Sequence, residues 1–114
     1  MAQEEIMAHT VEVNDANFKQ VVEDSPRPVL VDLWAPWCAP CLKVGPIVEE
    51  LAREYDGKAD FVKVNVDESP RVASTYGIQS IPTLLFFKGG KPMSQVVGLR
   101  SKEELKKNLD NLMG

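Results

Sequence analysis

Two cysteines, Cys38 and Cys41, are the residues whose type and spacing could do chemistry in this sequence. They stand two residues apart in the stretch LWAPWCAPCLK and are the only cysteines of the 114-residue chain. Such a pair could bind a metal, crosslink the chain or exchange its disulfide with another one. A closed zinc site needs four ligands, and the single histidine, His9, adds only one. The ligand count therefore disfavours metal, and we expect none unless two molecules share a site.

The short gap between the cysteines also disfavours a structural crosslink. A disulfide that closes so small a loop removes little conformational entropy from the unfolded chain. Both sulfurs, however, stay within reach of each other in the reduced and the oxidised states. The spacing therefore favours a disulfide that opens and closes during a reaction.

The elements predicted around the pair give its two sulfurs unequal roles. VLVDLW reads as a strand that is apolar on both faces, and PCLKVGPIVEELAREYDG reads as a helix that Gly57 ends. Cys38 then lies at or near the helix N-terminus, where free N–H groups and the helix dipole favour a thiolate. We expect Cys38 to be the exposed attacking thiolate and Cys41, one turn further in, to be the more buried resolving thiol. Pro46 should kink or divide this helix.

Asp32 is the one acid in the apolar strand VLVDLW. Burial should raise its pKa, because an ionised carboxylate loses its hydration there. Asp32 either faces a polar gap or caps a neighbouring element, or it accepts the proton of Cys41, directly or through water. Lys63, in a later strand, is either solvated or adjusts the charge of Asp32. The residues alone leave both alternatives open.

Strands and helices alternate along the rest of the chain. Strand patterns occur in HTVEV, DFVKVNVD, PTLLFFK and PMSQVVG, and a two-glycine turn, KGGK, joins the last two as a hairpin. Helical patterns occur in NDANFKQVVEDS, in SPRVASTYG and in SKEELKKNLDNLMG, with Ser69 preceding Pro70 and with a capping box at Ser101 and Glu104. The order β-α-β-α-β-α-β-β-α predicts an α/β fold with helices on both faces of a mixed sheet.

The composition bounds the class of protein. The length fits one domain, and 44% hydrophobic residues are enough for one core. A net charge of −4 without a basic patch argues against nucleic-acid binding. The apolar stretches are too short to span a membrane, and MAQEEIMAHT lacks the pattern of a signal peptide. We therefore expect a polar tail over residues 1–8, one domain over residues 9–114, no nucleic-acid or membrane partner, and a soluble, cytoplasmic protein.

Three stretches in order, VDLWAPWCAPC, SIPTLLFFKGGK and VVGLRSKEELKKNL, resemble the thioredoxin family from about His9 onward. The resemblance implies a thioredoxin fold, whose central mixed five-stranded sheet is flanked by four helices. It also implies a protein disulfide reductase with Cys38 as nucleophile, Cys41 as resolving cysteine, Asp32 as proton acceptor and Lys63 as the partner that tunes Asp32. Pro82 matches the family's cis-proline, which faces the disulfide. The resemblance places the substrate groove at Trp37, Ala39, Pro40, Gly77, Ile78, Ile81, Thr83, Val97 and Gly98.

The same resemblance implies partners but no bound cofactor. The redox group would be the Cys38–Cys41 disulfide itself, acting on disulfide-containing target proteins. A thioredoxin reductase, usually driven by NADPH, would return the pair to its reduced state, and we expect a monomer. Two residues depart from the family's pattern: Ala39 stands where glycine is usual, and Leu42 where a basic residue is common. Both departures bear on the redox potential of the pair, and Leu42 also bears on partner choice.

Two other functions are compatible with these residues. An oxidase or isomerase of the same fold would differ in redox potential, and the absence of a signal-peptide pattern counts against it. A binding module would use the groove to hold a partner, with the redox chemistry incidental. Of the three, the sequence favours reduction of protein disulfides.

Overall fold

A computed structural model describes residues 9–114, and the expected tail over residues 1–8 lies outside the described residues. Residues 9–114 form a five-stranded sheet flanked by four helical segments. The strands are β1 (Val11–Glu12), β2 (Val29–Trp34), β3 (Asp60–Asn65), β4 (Thr83–Lys88) and β5 (Lys91–Val97). The helical segments are α1 (Lys19–Glu23, a π-helical turn), α2 (Ala39–Glu54), α3 (Pro70–Thr75) and α4 (Lys102–Met113).

The sheet has the strand order β1-β3-β2-β4-β5, which puts β2 at its centre. Strand β3 runs parallel to both β1 and β2, whereas β4 runs antiparallel to β2 and to β5. The mixed sheet, the terminal hairpin and the central position of the apolar strand are therefore confirmed. A strand covered on both faces needs apolar side chains in both alternating sets, and β2 supplies them.

Two apolar clusters lie on opposite faces of the sheet. On one face, Leu30 of β2 packs with residues of α2 and α4, such as Val48 and Leu109. On the other face, Val31 of β2 packs with Phe18 and with residues of α1 and α3. The alternation along β2 thus divides the core into two halves, and helices cover both faces as the sequence predicts.

The first helix is shorter than the sequence predicts. The side chain of Asn14 accepts a hydrogen bond from Ala16 N, and the side chain of Asn17 accepts one from Asn14 N. These two bonds form a cap of the capping-box type at Asn14, and Phe18 N donates to the Asn14 carbonyl at 2.9 Å. The chain therefore starts to wind where the sequence predicts, but its one continuous helical segment here is the π-helical Lys19–Glu23. Phe18 and Val22, two of the apolar residues at helical spacing in this stretch, are buried in the core.

Pro46 is expected to kink or divide α2, and the division is not found, because the helix runs unbroken from Ala39 to Glu54. A proline has no N–H, so the carbonyl of Leu42 lacks its helical donor. Leu42 and Pro46 both lie on the exposed side of the helix, where water can satisfy that carbonyl. One long helix can therefore carry the cysteine pair at its start and pack against the sheet over its whole length.

Helix α3 begins at Pro70 with Ser69 in the N-cap position, as expected, but Ser69 makes no capping hydrogen bond. Its hydroxyl oxygen is buried and has no partner among the described residues. The carboxylate of Asp15 instead accepts hydrogen bonds from Arg71 N at 3.1 Å and Val72 N at 2.9 Å. A residue distant in sequence therefore caps this helix.

Replacing Asp15 by alanine should lower the free energy of unfolding by about 1 kcal/mol, because two helix N–H groups lose their acceptor. Ser69→Ala is the matched comparison and should be nearly neutral, since its hydroxyl caps nothing. Urea unfolding of both variants measures this difference. Equal losses in the two variants would show that Ser69 stabilises the helix start as much as Asp15 does, which would contradict this assignment.

Candidate active site

The disulfide between Cys38 and Cys41 lies at the junction of β2 and α2. Cys38 is the N-cap residue of α2, and its sulfur accepts a hydrogen bond from the backbone N–H of Cys41 at 3.3 Å. Cys38 N donates to the carbonyl of Ala35 at 3.1 Å, which turns the chain between strand and helix. A free N–H of the first helical turn thus points at Cys38, and such a donor favours a thiolate there once the disulfide opens.

Both cysteines are covered in the oxidised protein. Cys38 is 5% exposed and Cys41 2%. The expected order of burial is therefore observed, but the expectation of an exposed Cys38 is wrong in this state. Ala35 packs against the pair, with Trp34 and Ile81 at its border. Of the two, Cys38 keeps the larger exposed fraction and is the more accessible to an attacking group.

The loop before β4 closes over the disulfide. The Ile81–Pro82 peptide bond is cis, and the carbonyl oxygen of Ile81 lies 3.7 Å from the Cys38 sulfur. Gly98 N donates to the carbonyl of Pro82 at 2.8 Å, and the Thr83 hydroxyl donates to the carbonyl of Ser80 at 2.6 Å. These bonds tie the loop to the end of β5 and to itself, so the backbone beside the sulfur is fixed.

Asp32 lies in the middle of β2, fully buried, and neither carboxylate oxygen has a hydrogen-bond partner among the described residues. Burial raises the pKa of Asp32 to about 7, although the nearby Lys63 lowers it, and Glu12 adds to the rise. A buried carboxyl with this pKa gains or loses a proton close to neutral pH. That property is what proton transfer to or from a thiol requires.

Lys63 is the residue of β3 in register with Asp32. Its ammonium nitrogen lies 4.3 Å from the centre of the Trp34 ring. Within residues 9–114 the two side chains form no ion pair, so Lys63 acts on Asp32 through its charge at a distance.

A cavity of about 490 Å³ opens next to the disulfide. Of the expected groove residues, Trp37, Ile78 and Ile81 line it. Ala39, Pro40, Gly77, Thr83, Val97 and Gly98 do not line it. Thr83 is buried, and its hydroxyl is engaged by Ser80. Ala39, Pro40, Val97 and Gly98 reach the surface elsewhere around the site.

Sequence reasoning missed five residues that line this cavity: Val66, Pro70, Ala73, Gln79 and Ser80. It also missed Asp67, whose carboxylate accepts a hydrogen bond from the Trp37 indole N–H at 2.8 Å. The sequence did contain a signal for these residues. Val66 and Asp67 follow the carboxyl end of β3, and Trp37 follows the carboxyl end of β2. Adjacent parallel strands bring such ends together, and ligands of α/β sheets bind there.

Two large apolar side chains next to the cysteines in sequence are exposed. Trp37 is 68% exposed and Leu42 is 55% exposed.

Within residues 9–114, no group of three or more His, Cys, Asp or Glu side chains is placed to bind a metal ion. Over the same residues, no helix has the length and apolar character to cross a membrane.

Comparison with known proteins identifies relatives of this chain. A family model described as Thioredoxin matches residues 9–111. Thioredoxin 1 of Nostoc sp. is 55% identical over 104 residues, which cover 91% of this chain and 97% of the relative. A thioredoxin of Synechocystis sp. is 51% identical over 107 residues, 94% of this chain and 100% of the relative. A chloroplastic M-type thioredoxin of Chlamydomonas reinhardtii is 48% identical over 108 residues, 95% of this chain and 77% of the relative.

The raised pKa of Asp32 predicts how stability depends on pH. The folded protein holds this proton up to about pH 7, whereas an exposed carboxyl of the unfolded chain loses it near pH 4. Between these values the folded state binds more protons, so this group's contribution to stability falls as the pH rises from about 4 to about 7, and it stays constant above that range. Asp32→Asn should therefore stabilise the oxidised protein at pH 8, by up to about 4 kcal/mol, and far less near pH 4.

Urea unfolding of both oxidised proteins at pH 4 and pH 8 measures this difference. The other titrating groups are common to the two proteins and cancel in the comparison. A stability difference that is the same at both pH values would show that Asp32 titrates normally in the folded protein.

Proposed function

The chain belongs to the thioredoxin family and is a protein-disulfide reductase, and we propose that Cys38 and Cys41 do this chemistry in unequal roles. The observation that carries the proposal is the position of Cys38 as N-cap of α2, with the Cys41 N–H directed at its sulfur. Cys41 lies within the first turn and is the more buried of the two. The helix start therefore favours negative charge on one sulfur more than on the other.

In the first step, the Cys38 thiolate attacks one sulfur of a disulfide in a target protein. The target's S–S bond breaks, a mixed disulfide forms between Cys38 and the target, and the leaving thiolate of the target takes up a proton. Cys38 is the more exposed of the two sulfur-bearing residues, and it adjoins Trp37 and Ile81, which line the cavity, so we take it to be the one that a target reaches.

In the second step, the Cys41 thiol loses its proton and attacks the Cys38 sulfur. The mixed disulfide breaks, the Cys38–Cys41 disulfide forms, and the second target thiolate leaves. Two electrons have then passed from the cysteine pair to the target. We assign Asp32 as the acceptor of the Cys41 proton, directly or through water, because it is a buried carboxyl whose pKa of about 7 matches this task.

Lys63 and Pro82 support these steps without exchanging electrons. Lys63 keeps the pKa of Asp32 below the value that burial alone would give. Pro82 fixes the loop whose Ile81 carbonyl lies beside the Cys38 sulfur. The polypeptide flanking the target disulfide would lie along Trp37, Ile78 and Ile81, with one side chain in the adjacent cavity. The surface around the opening, with Ala39, Pro40, Gly77, Thr83, Val97 and Gly98, completes the proposed groove.

The electron donor follows from the family: a thioredoxin reductase, which we take to be NADPH-dependent, reduces the Cys38–Cys41 disulfide. Loss of NADPH absorbance in a coupled assay checks this donor, and no loss would point to another one.

We further propose one domain over residues 9–114 after a short tail, a monomer with no bound cofactor, and a role in electron transport in the cytoplasm. Sedimentation analysis and cell fractionation test the monomer and the location.

The cysteine variants test the two roles directly. Cys41→Ser should form a stable mixed disulfide with a target protein, since the resolving thiol is missing. Cys38→Ser should form none and should lose essentially all reduction, at least about a thousandfold. Non-reducing gels and mass spectrometry of the trapped species measure this. A trapped species joined through Cys41 in the Cys38→Ser variant would reverse the assignment.

Asp32→Asn should slow the resolution step by about tenfold or more near pH 7, because no buried group then takes the Cys41 proton. The defect should shrink at higher pH, where hydroxide in solvent can remove that proton. Rapid-mixing measurements of mixed-disulfide decay between pH 6 and pH 9 follow the step. Decay rates equal to those of the unmodified protein over this range would rule out Asp32 as the proton acceptor.

A further inference from the structure

Trp37 is an exposed side chain that is nevertheless held in one place. The residue is 68% exposed, yet its indole N–H donates to a carboxylate oxygen of Asp67 at 2.8 Å. The loop that carries Trp37 lies between β2 and α2, immediately before Cys38. Asp67 lies in another loop, between β3 and α3. The hydrogen bond therefore connects the loop of the redox pair to the neighbouring loop.

Hydrogen bonds fix the conformation of the loop that carries Asp67, between β3 and α3. Asp67 N donates to the side-chain oxygen of Asn65 at 2.9 Å, and Glu68 N donates to the Asn65 carbonyl at 3.1 Å. Val66 N donates to the carbonyl of Trp34, the last residue of β2, at 2.9 Å. These backbone bonds fix Asp67 relative to the end of the central strand. An acceptor held in this way orients an indole that otherwise has solvent on most of its surface.

Trp37 also forms one wall of the cavity beside the disulfide. The other walls belong to the end of β3, to α3 and to the loop before β4, including Val66, Ala73 and Ile81. The carbonyl of Ile81 reaches to 3.7 Å from the Cys38 sulfur. Rotation of the Trp37 ring would thus change the shape of the cavity next to the reacting atom, and the rest of the cavity would keep its form.

We propose that Asp67 is a positioning residue for substrate binding: its carboxylate holds the Trp37 ring as a wall of the cavity that receives the polypeptide beside the target disulfide. This inference rests on the proposed groove function of that cavity. Asp67 touches neither the sulfurs nor, in this role, the substrate. Asp67 holds the Trp37 side chain in position before the substrate binds. Binding then costs less conformational entropy, which lowers the KM for protein disulfides.

Steady-state reduction of insulin by Asp67→Ala tests the role. The KM should rise by about threefold to tenfold while kcat changes by less than about twofold, because binding is weakened and the cysteine chemistry is untouched. Asp67→Asn keeps an oxygen that accepts the indole N–H, so its KM should stay within about twofold of the unmodified value. Glu68→Ala removes the neighbouring exposed carboxylate and should leave KM unchanged.

A double-variant comparison separates positioning of Trp37 from any other effect of Asp67. Trp37→Phe keeps an aromatic ring but lacks the N–H donor, so adding Asp67→Ala to it should raise KM no further. In NMR spectra, the indole N–H resonance of Trp37 should move upfield in Asp67→Ala and stay in place in Glu68→Ala.

An equal rise of KM when Asp67→Ala is added to Trp37→Phe would overturn the inference, as would an unmoved indole resonance. An unchanged KM in Asp67→Ala alone would also overturn it while the reductase function stands. Failure of the unmodified protein to reduce insulin would instead contradict the proposed function, and this inference with it.

Discussion

The hydrogen bond from the Cys41 backbone N–H to the Cys38 sulfur is the interaction on which the site depends. It exists because α2 begins directly after Cys38, so the N–H groups of its first turn have no helical acceptor. The same start places Cys41 inside the helix, against the core. One structural boundary thus makes two chemically identical side chains different, and the order of the two exchange steps follows from that difference.

The sheet fixes the position of the junction between β2 and α2. Strand β2 is central and buried on both faces, and it ends at Trp34, four residues before Cys38. The turn closed by Cys38 N and the Ala35 carbonyl leaves little freedom between strand and helix. The same burial that makes β2 rigid also removes water from Asp32, which raises its pKa towards neutrality. Burial of β2 therefore explains both the rigidity of this part of the sheet and the raised pKa that suits Asp32 to accept a proton near neutral pH.

Local patterns in the sequence were sufficient for the elements that carry the pair. The apolar strand with its single acid, the helix after the cysteines and the hairpin at KGGK are all found where periodicity and turn residues place them. Contacts between distant residues were not predictable in this way. Asp15 caps α3 from 56 residues away in sequence, and the residue pattern of the first helix does not signal its π-helical form. The Trp37–Asp67 bond and the cavity beside it depend on how β2 and β3 pair, and side-chain types alone do not show which side chains meet across that pairing. The cover over Cys38 likewise comes from Ile81 and its loop, 43 residues further along the chain.

The most direct measurement is the relative reactivity of the two cysteines in the fully reduced protein. Brief alkylation with iodoacetamide at pH 7, followed by mass spectrometry of the peptides, reports which sulfur carries the thiolate. Cys38 should be modified at least about tenfold faster than Cys41, because the helix start favours the charged form of its sulfur and because Cys38 is the more exposed of the two. Equal rates, or faster modification of Cys41, would contradict the assignment of attack to Cys38 and of resolution to Cys41.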